Sequence, residues 1–277
     1  MSSLSLPGRP ALIGLGYDAS SSFLRGAALA PSRIREAFHS PAANGWSESG
    51  IDTWADGVIG DAGDLDLPPT GEARRLIERA IREIVDRGDR PLSLGGDHSI
   101  TYSTVRAVAS RAPTLTIVQI DAHPDLYDQF EGDRYSHACQ FARIREEGLA
   151  AHLIQAGIRT ITGHQREQAN RFGVDVIDMR RWTRGDRPRP SGPVYLSIDL
   201  DGLDPAFAPG VSHPEPGGLT VRELLDVVHG LDGPIVGADI VELNPHRDAG
   251  GLTAVVAAKL VKEVAARMIE TWSATGQ

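Results

Sequence analysis

The chain has 277 residues, 41% of them hydrophobic and 23% charged, enough material to bury a substantial core. Acidic side chains outnumber basic ones, 37 to 28, for a formal net charge of -9, which argues against nucleic acid or an anionic membrane as partner and suits a cationic ligand. The lone Cys139 cannot close an internal disulfide, and no apolar run approaches the ~18 residues of a membrane span. Residues 1–10 show no basic segment followed by an apolar one, so the expected location is the cytoplasm.

Short apolar runs and amphipathic stretches alternate along the chain. Runs of strand length fall at 11–16, 91–95, 115–121, 153–158, 174–178, 194–199 and 235–243. Residues 73–87 place Leu76, Ala80, Ile81 and Ile84 on one helical stripe, and 254–269 do the same with Val255, Ala258, Val261 and Ala265. Strands that read as nearly continuous apolar runs are covered on both faces, which predicts a parallel sheet of about eight strands between helices. No linker interrupts the pattern; the Gly/Pro/Arg-rich stretch 183–193 reads as a surface loop, and residues 1–277 as one domain.

Three acid-rich runs sit where such strands end: Asp97-His98 after Gly95-Gly96, Asp121-Ala122-His123-Pro124-Asp125, and Asp199-Leu200-Asp201. In parallel sheets, ligands gather beyond the carboxyl ends of the strands, so side chains from all three runs can converge there. Residues two apart in extended chain point the same way, which pairs Asp121 with His123 and Asp199 with Asp201. Pro124 cannot donate to a ladder and holds His123 extended, releasing Asp125 into the loop. A single Asp at a strand end is most often a cap or turn former. Six together, His98, Asp121, His123, Asp125, Asp199 and Asp201, form a set of two imidazoles and four carboxylates that two divalent ions would neutralise. Nitrogen and oxygen donors without thiolate suit manganese or another borderline-hard ion better than structural zinc.

One competing motif is present. Gly14-Leu15-Gly16-Tyr17-Asp18-Ala19 fits a loose dinucleotide fingerprint after a strand, with Glu36 at about the right distance. It fails in context, because Ser20-Ser21-Ser22 and Pro31 follow instead of a helix that opens at once, and Glu36 lies inside a helical stretch.

The segments Leu94 to Ser99, Asp121 to Asp125, Ser197 to Thr220 and Gly237 to Asp248, with the opening run 12–37, resemble the signature regions of the arginase/agmatinase (ureohydrolase) family. The run Asp121 to Ile144 is most similar to plant-type arginases and bacterial agmatinase-like relatives. The resemblance implies an α/β fold of three layers (α/β/α) with a parallel, eight-stranded sheet, two Mn2+ per subunit, and a homotrimer or homohexamer. It implies hydrolysis of a small guanidino substrate to urea and an amine. By motif position Asp125 would carry a proton to the leaving nitrogen, Glu242 would bind the guanidinium, and His137 would shuttle protons at the mouth. Ser136, Thr220, His137 and Glu242 would touch substrate, although Thr220 with Glu223 three residues on reads first as a capping box. Cys139 reads as a small core residue. The other histidines have no ligand spacing, though His213 and His246 follow the motif strands and can line the rim. For the substrate tail, Asp128, Glu131 and Asp133 against the single Arg134 tilt the reading toward agmatine, with arginine or another guanidino compound as the alternative. A non-catalytic homologue would lack a ligand, and all six are present.

Overall fold

The computed structural model describes residues 8–273. Its eight strands are β1 (Pro10–Leu15), β2 (Gly60–Asp64), β3 (Arg90–Gly95), β4 (Thr116–Ile120), β5 (His152–Ile158), β6 (Asp175–Asp178), β7 (Val194–Asp199) and β8 (Ile235–Val241). They form one sheet in the order β2-β1-β3-β8-β7-β4-β5-β6, with every pair parallel. The expected α/β architecture with a parallel sheet between helices is therefore what the chain adopts.

Eight helices connect and cover the strands: α1 (Ala30–Phe38), α2 (Glu72–Asp86), α3 (Ile100–Ala109), α4 (Gln140–Glu146), α5 (Gly163–Phe172), α6 (Met179–Trp182), α7 (Val221–His229) and α8 (Leu252–Ser273). Two apolar layers sandwich the sheet, and strand residues alternate between them as the pleat requires. Val194, Leu196 and Ile198 of β7 face Leu224 of α7 and Leu260 of α8, while Tyr195 between them faces the layer built on Ile77, Ile81 and Ile84 of α2. Those three isoleucines are the buried stripe of α2, at most 1% exposed. Truncating Ile81 to Ala would cost about 2–5 kcal/mol.

The one strand absent from the sequence reading is β2. Its residues, GDAGD, are exposed beyond the first and sit at the sheet edge against β1, so neither apolar content nor alternation marks them. The helix read at 73–87 begins and ends one residue earlier, and that read at 254–269 extends at both ends.

The order of the sheet positions the site. The neighbouring central strands β3, β8, β7 and β4 carry at their carboxyl ends His98, Glu242, the Asp199 pair and the Asp121 run. Gly96 makes the first of these turns possible: a Cβ there would fall 1.8 Å from the Tyr17 carbonyl oxygen, and Asp97 N–H donates to that same oxygen at 2.7 Å.

Candidate metal centre

The six expected ligands meet in one place. His98 Nδ1 lies 3.1 Å from each of Asp121 Oδ2, Asp125 Oδ2 and Asp199 Oδ2. His123 Nδ1 lies 3.1 Å from Asp201 Oδ2 and 3.5 Å from Asp121 Oδ1. Asp121 thus turns one oxygen to each group and joins them, as a bridging carboxylate does. Donor atoms about 3 Å apart are what a cation bound at about 2.0–2.2 Å leaves between neighbouring ligands.

The test of fit lies in the state of His98. Ser197 Oγ is 2.7 Å from Asp239 Oδ1 and donates its only proton there, so at 2.9 Å it accepts from His98 Nε2–H. Asp239 is fully buried and also accepts from Tyr195 at 2.6 Å and Thr101 at 2.9 Å. With the proton on Nε2, the neutral ring turns its Nδ1 lone pair toward the carboxylates. Burial lowers the His98 pKa, yet they raise it well above its ordinary value and so favour a cation at that nitrogen, a second proton or a metal ion. Nδ1 is buried and has no hydrogen-bond partner, while three carboxylates face it. A lone pair among anions requires a cation between them. Supporting amides complete the seat: Gln119 donates to Asp121 Oδ2 and Gln140 to Asp125 Oδ2, both at 2.6 Å.

The electrostatics point the same way. Among the described residues the only cationic partners of these four carboxylates within ion-pair distance are the two imidazoles. Burial, then Asp201 and Asp121, push the Asp199 carboxyl well above its ordinary range, and burial with Asp121 raises Asp125 to about 6. Burial alone would hold His123 neutral, yet Asp201 and Asp121 beside it pull its pKa up to about 12. The cluster draws in positive charge from whatever group can supply it.

Glu242 follows β8 with φ 67°, and Asp125 has φ 50°; both side chains are aimed from a left-handed backbone that costs a non-glycine residue on the order of 1 kcal/mol. Glu242 N–H donates to the Gly96 carbonyl, and Glu242 Oε1 accepts from His98 N–H at 2.9 Å and contacts His137 Nδ1 at 2.7 Å. Burial works against ionising Glu242, but His137 outweighs it and holds the carboxyl below its usual range. Burial likewise opposes the His137 imidazolium, and Glu242 overrides it to raise that pKa to about 9. The Ser22 amide pulls the other way: its N–H is aimed at Nε2 from 3.1 Å and needs a lone pair there.

These groups floor a cavity of about 170 Å³, sized for a small molecule and too small for a dinucleotide. Its walls are Tyr127, Phe130, Thr160, Thr162 and Gln165, with Ser22 and His213 closing the other side. Ser136 and Thr220 are not in the lining. The Ser136 hydroxyl turns to the Ser20 carbonyl and the Ala138 amide, and Thr220 caps α7 in a full capping box with Glu223. His213 does line the cavity, whereas His246 does not. Cys139 is fully buried at the start of α4, and burial pushes its thiol up to about 12.

Of the loop charges used to read substrate choice, Arg134 and Asp128 are engaged with each other and with Arg143 and Glu146. Arg134 reaches Asp128 at 2.9 Å and Glu146 at 3.0 Å, and Arg143 reaches Asp128 at 3.1 Å and Glu146 at 2.8 Å. None of them lines the cavity.

Residues 9–266 match the sequence profile of the arginase family. The chain belongs to the arginase family. It is 46% identical over 278 residues to Arginase 1, mitochondrial, of Arabidopsis thaliana, covering 93% of this chain and 80% of that one. It is 38% identical over 230 residues to a guanidinopropionase of Pseudomonas aeruginosa, covering 77% and 72%. Among solved structures, an arginase from Medicago truncatula superposes with a TM-score of 0.88 at 42% identity, covering 95% of this chain and 88% of that one. This arginase-family chain is a hydrolase of guanidino carbon–nitrogen bonds in small substrates, from a family of binuclear metal enzymes. Two expectations are corrected. The lean toward agmatine finds no support, and these relatives favour the arginine alternative. The cytoplasmic placement is overturned by the mitochondrial name of the plant relative; location follows an address that receptors read, which the composition of a catalytic chain does not reveal. Among the described residues no helix is long and apolar enough to cross a membrane.

Proposed function

We propose that this arginase-family hydrolase acts on L-arginine, yielding L-ornithine and urea. The observation that carries the reading is the neutral wall of the cavity. Beyond the buried acids and the His123 and His137 imidazoles of the floor, its lining holds hydroxyl, amide and aromatic groups with the His213 imidazole, whose pKa burial lowers, and no Lys or Arg. An α-amino acid head is net neutral and brings its own counter-charge. The single ammonium of agmatine, or the single carboxylate of a guanidino acid, would leave water without a partner there. The 46% identity to a plant arginase, against 38% to a guanidinopropionase, supports the same choice.

His98, Asp121, His123, Asp125, Asp199 and Asp201 would hold the metal pair, for which the all-nitrogen-and-oxygen donor set favours manganese. When bound, the pair supplies an acidified water beside the guanidinium carbon. Glu242 accepts paired N–H bonds from the planar guanidinium and fixes its orientation. Asp125, held by Gln140, takes a proton and returns it to the departing nitrogen, which needs one to leave as an amine. His137, against Glu242, exchanges protons between the cavity and its mouth. Residues 1–277 act as one domain, and the family likeness supports a homotrimer or homohexamer, which sedimentation would test.

Urea release from arginine, agmatine, guanidinopropionate and guanidinobutyrate, measured side by side on manganese-loaded enzyme, tests the assignment. Arginine is expected to lead in kcat/KM by about tenfold or more, the effect of one unpaired buried charge. Equal or better turnover of agmatine overturns it.

A further inference from the structure

The His137 ring lines the cavity, yet neither of its nitrogens is free. The residue is 8% exposed, its Nδ1 is taken by Glu242 at 2.7 Å, and its Nε2 is covered by Ser22 through the amide at 3.1 Å and the hydroxyl at 2.9 Å. A shuttle has to trade a proton with solvent in every turnover. The group that covers the ring also leads outward: Ser22 Oγ lies 3.4 Å from Nε2 of His213, which lines the cavity and is only half-buried.

The loop carrying Ser22 is fixed on both sides. Asp97, fully buried, turns away from the metal cluster and takes the Ser20 amide at 3.0 Å and the Ser21 hydroxyl at 3.3 Å. Beyond Ser22, the Leu24 carbonyl accepts from Ser212 Oγ and Asn244 Nδ2, both at 2.8 Å. His137 N–H itself donates to the Ser20 carbonyl at 3.1 Å, tying the loop directly to the imidazole's own backbone.

We propose that Ser22 is a positioning residue of the proton shuttle: its amide favours the neutral His137 ring with the proton on Nδ1, against the pull of Glu242, and its hydroxyl carries protons between Nε2 and the cavity mouth. The proposal rests on the reading of His137 given above. In the outward step the Nε2–H bond of the imidazolium breaks as Ser22 Oγ takes that proton. The O–H proton of the hydroxyl leaves in the same event to the lone pair on Nε2 of His213, which passes it to buffer at the mouth. The ring is left neutral, the serine is unchanged, and one proton has moved outward. Glu242 favours the charged ring and the Ser22 amide the neutral one, so neither form is trapped.

The test compares Ser22→Ala, which loses the hydroxyl and keeps the amide, with Ser22→Thr, which keeps both. Each is assayed on whichever guanidino compound the wild-type enzyme turns over fastest. Ser22→Ala is expected to lower kcat by roughly tenfold, a fraction of what general acid–base catalysis supplies, with KM little changed. Added imidazole buffer is expected to restore most of that loss, and Ser22→Thr to stay near wild type. A second readout needs no turnover: acylation of His137 by diethyl pyrocarbonate, followed by peptide mass spectrometry on the metal-loaded enzyme, is expected to be faster in Ser22→Ala. An unchanged kcat, a loss that no buffer restores, or equal acylation rates would each overturn the proposal. His137→Ala separates it from the reading beneath: an impaired His137→Ala beside an unaffected Ser22→Ala removes the relay alone, whereas an unaffected His137→Ala removes the shuttle itself.

Discussion

On α8, the carboxylate of Glu263 is 1% exposed, and the chain supplies its partners: Lys259 Nζ at 2.6 Å, His229 Nε2 at 3.0 Å and the Glu48 amide at 3.0 Å. At the strand ends, four aspartates are also buried and share two imidazoles, one of which has a buried nitrogen without a hydrogen-bond partner. The first cluster is a finished structural network. The second is unfinished by one or more positive charges, and it faces a cavity where the first faces a helix surface. What separates a structural acid from a functional one in this fold is whether the chain provides its own counter-charge.

Removing the metal is the harshest way to break that contrast. Chelation is expected to abolish urea release, by about a thousandfold or more, because the acidified water is lost. It should also lower Tm by roughly 5–10 °C, the loss of about 2–3 kcal/mol of ligand stabilisation at a hundredfold excess over Kd. Readdition of manganese should restore both. A chelated protein with unchanged activity and Tm would place the two clusters in one class.

A finer test acts one layer behind the ligands. Asp239→Asn replaces an acceptor-only group with an amide and unsettles the Ser197 hydroxyl that keeps the proton on His98 Nε2. Manganese affinity, read by calorimetric titration, is expected to fall about 10- to 100-fold. Unchanged affinity would mean that His98 Nδ1 does not depend on this chain of hydrogen bonds.

The smallest effect belongs to the structural cluster. Arg222 and Lys259 hold the Glu48 pKa down from 4.5 to about 2, so its contribution is whole above about pH 4.5 and fades as the pH falls toward 2. Glu48 is partly exposed and screened, and Glu48→Gln is expected to lower Tm by only about a degree at neutral pH. That difference should shrink steadily in melts taken from pH 4.5 down toward 2; a gap that widens on acidification would show that the pair is not what stabilises this corner.

The six side chains proposed as ligands were legible as a cluster because strand-end chemistry is local: two-residue spacing, a proline and a glycine pair lie within a few positions of each other. The apolar strands were legible for the same reason, and β2 was not, since an exposed GDAGD edge carries no burial signal. Ser22 and Asp239 could not be found from spacing, because Ser22 meets a histidine 115 positions away and Asp239 meets Ser197 across neighbouring strands. Asp239 alone left a trace, as an acid inside an otherwise apolar run. The agmatine lean failed for a related reason. Counting Asp128, Glu131 and Asp133 against Arg134 treats charges as free, whereas Arg134, Arg143, Asp128 and Glu146 settle into one mutual lattice outside the cavity.

The contact at Gly96 has a wider reach than its own turn. Because bare backbone there rests on Tyr17, the stretch after β1 is threaded beneath the end of β3 before it climbs to Ser20 and onward to His137. Even one added methyl would have to push that crossing apart. Such a lesion would leave all six donors chemically intact and yet dislodge the loop that steadies the imidazole, so an inactive variant here would register as a defect of alignment with every reactive group still present.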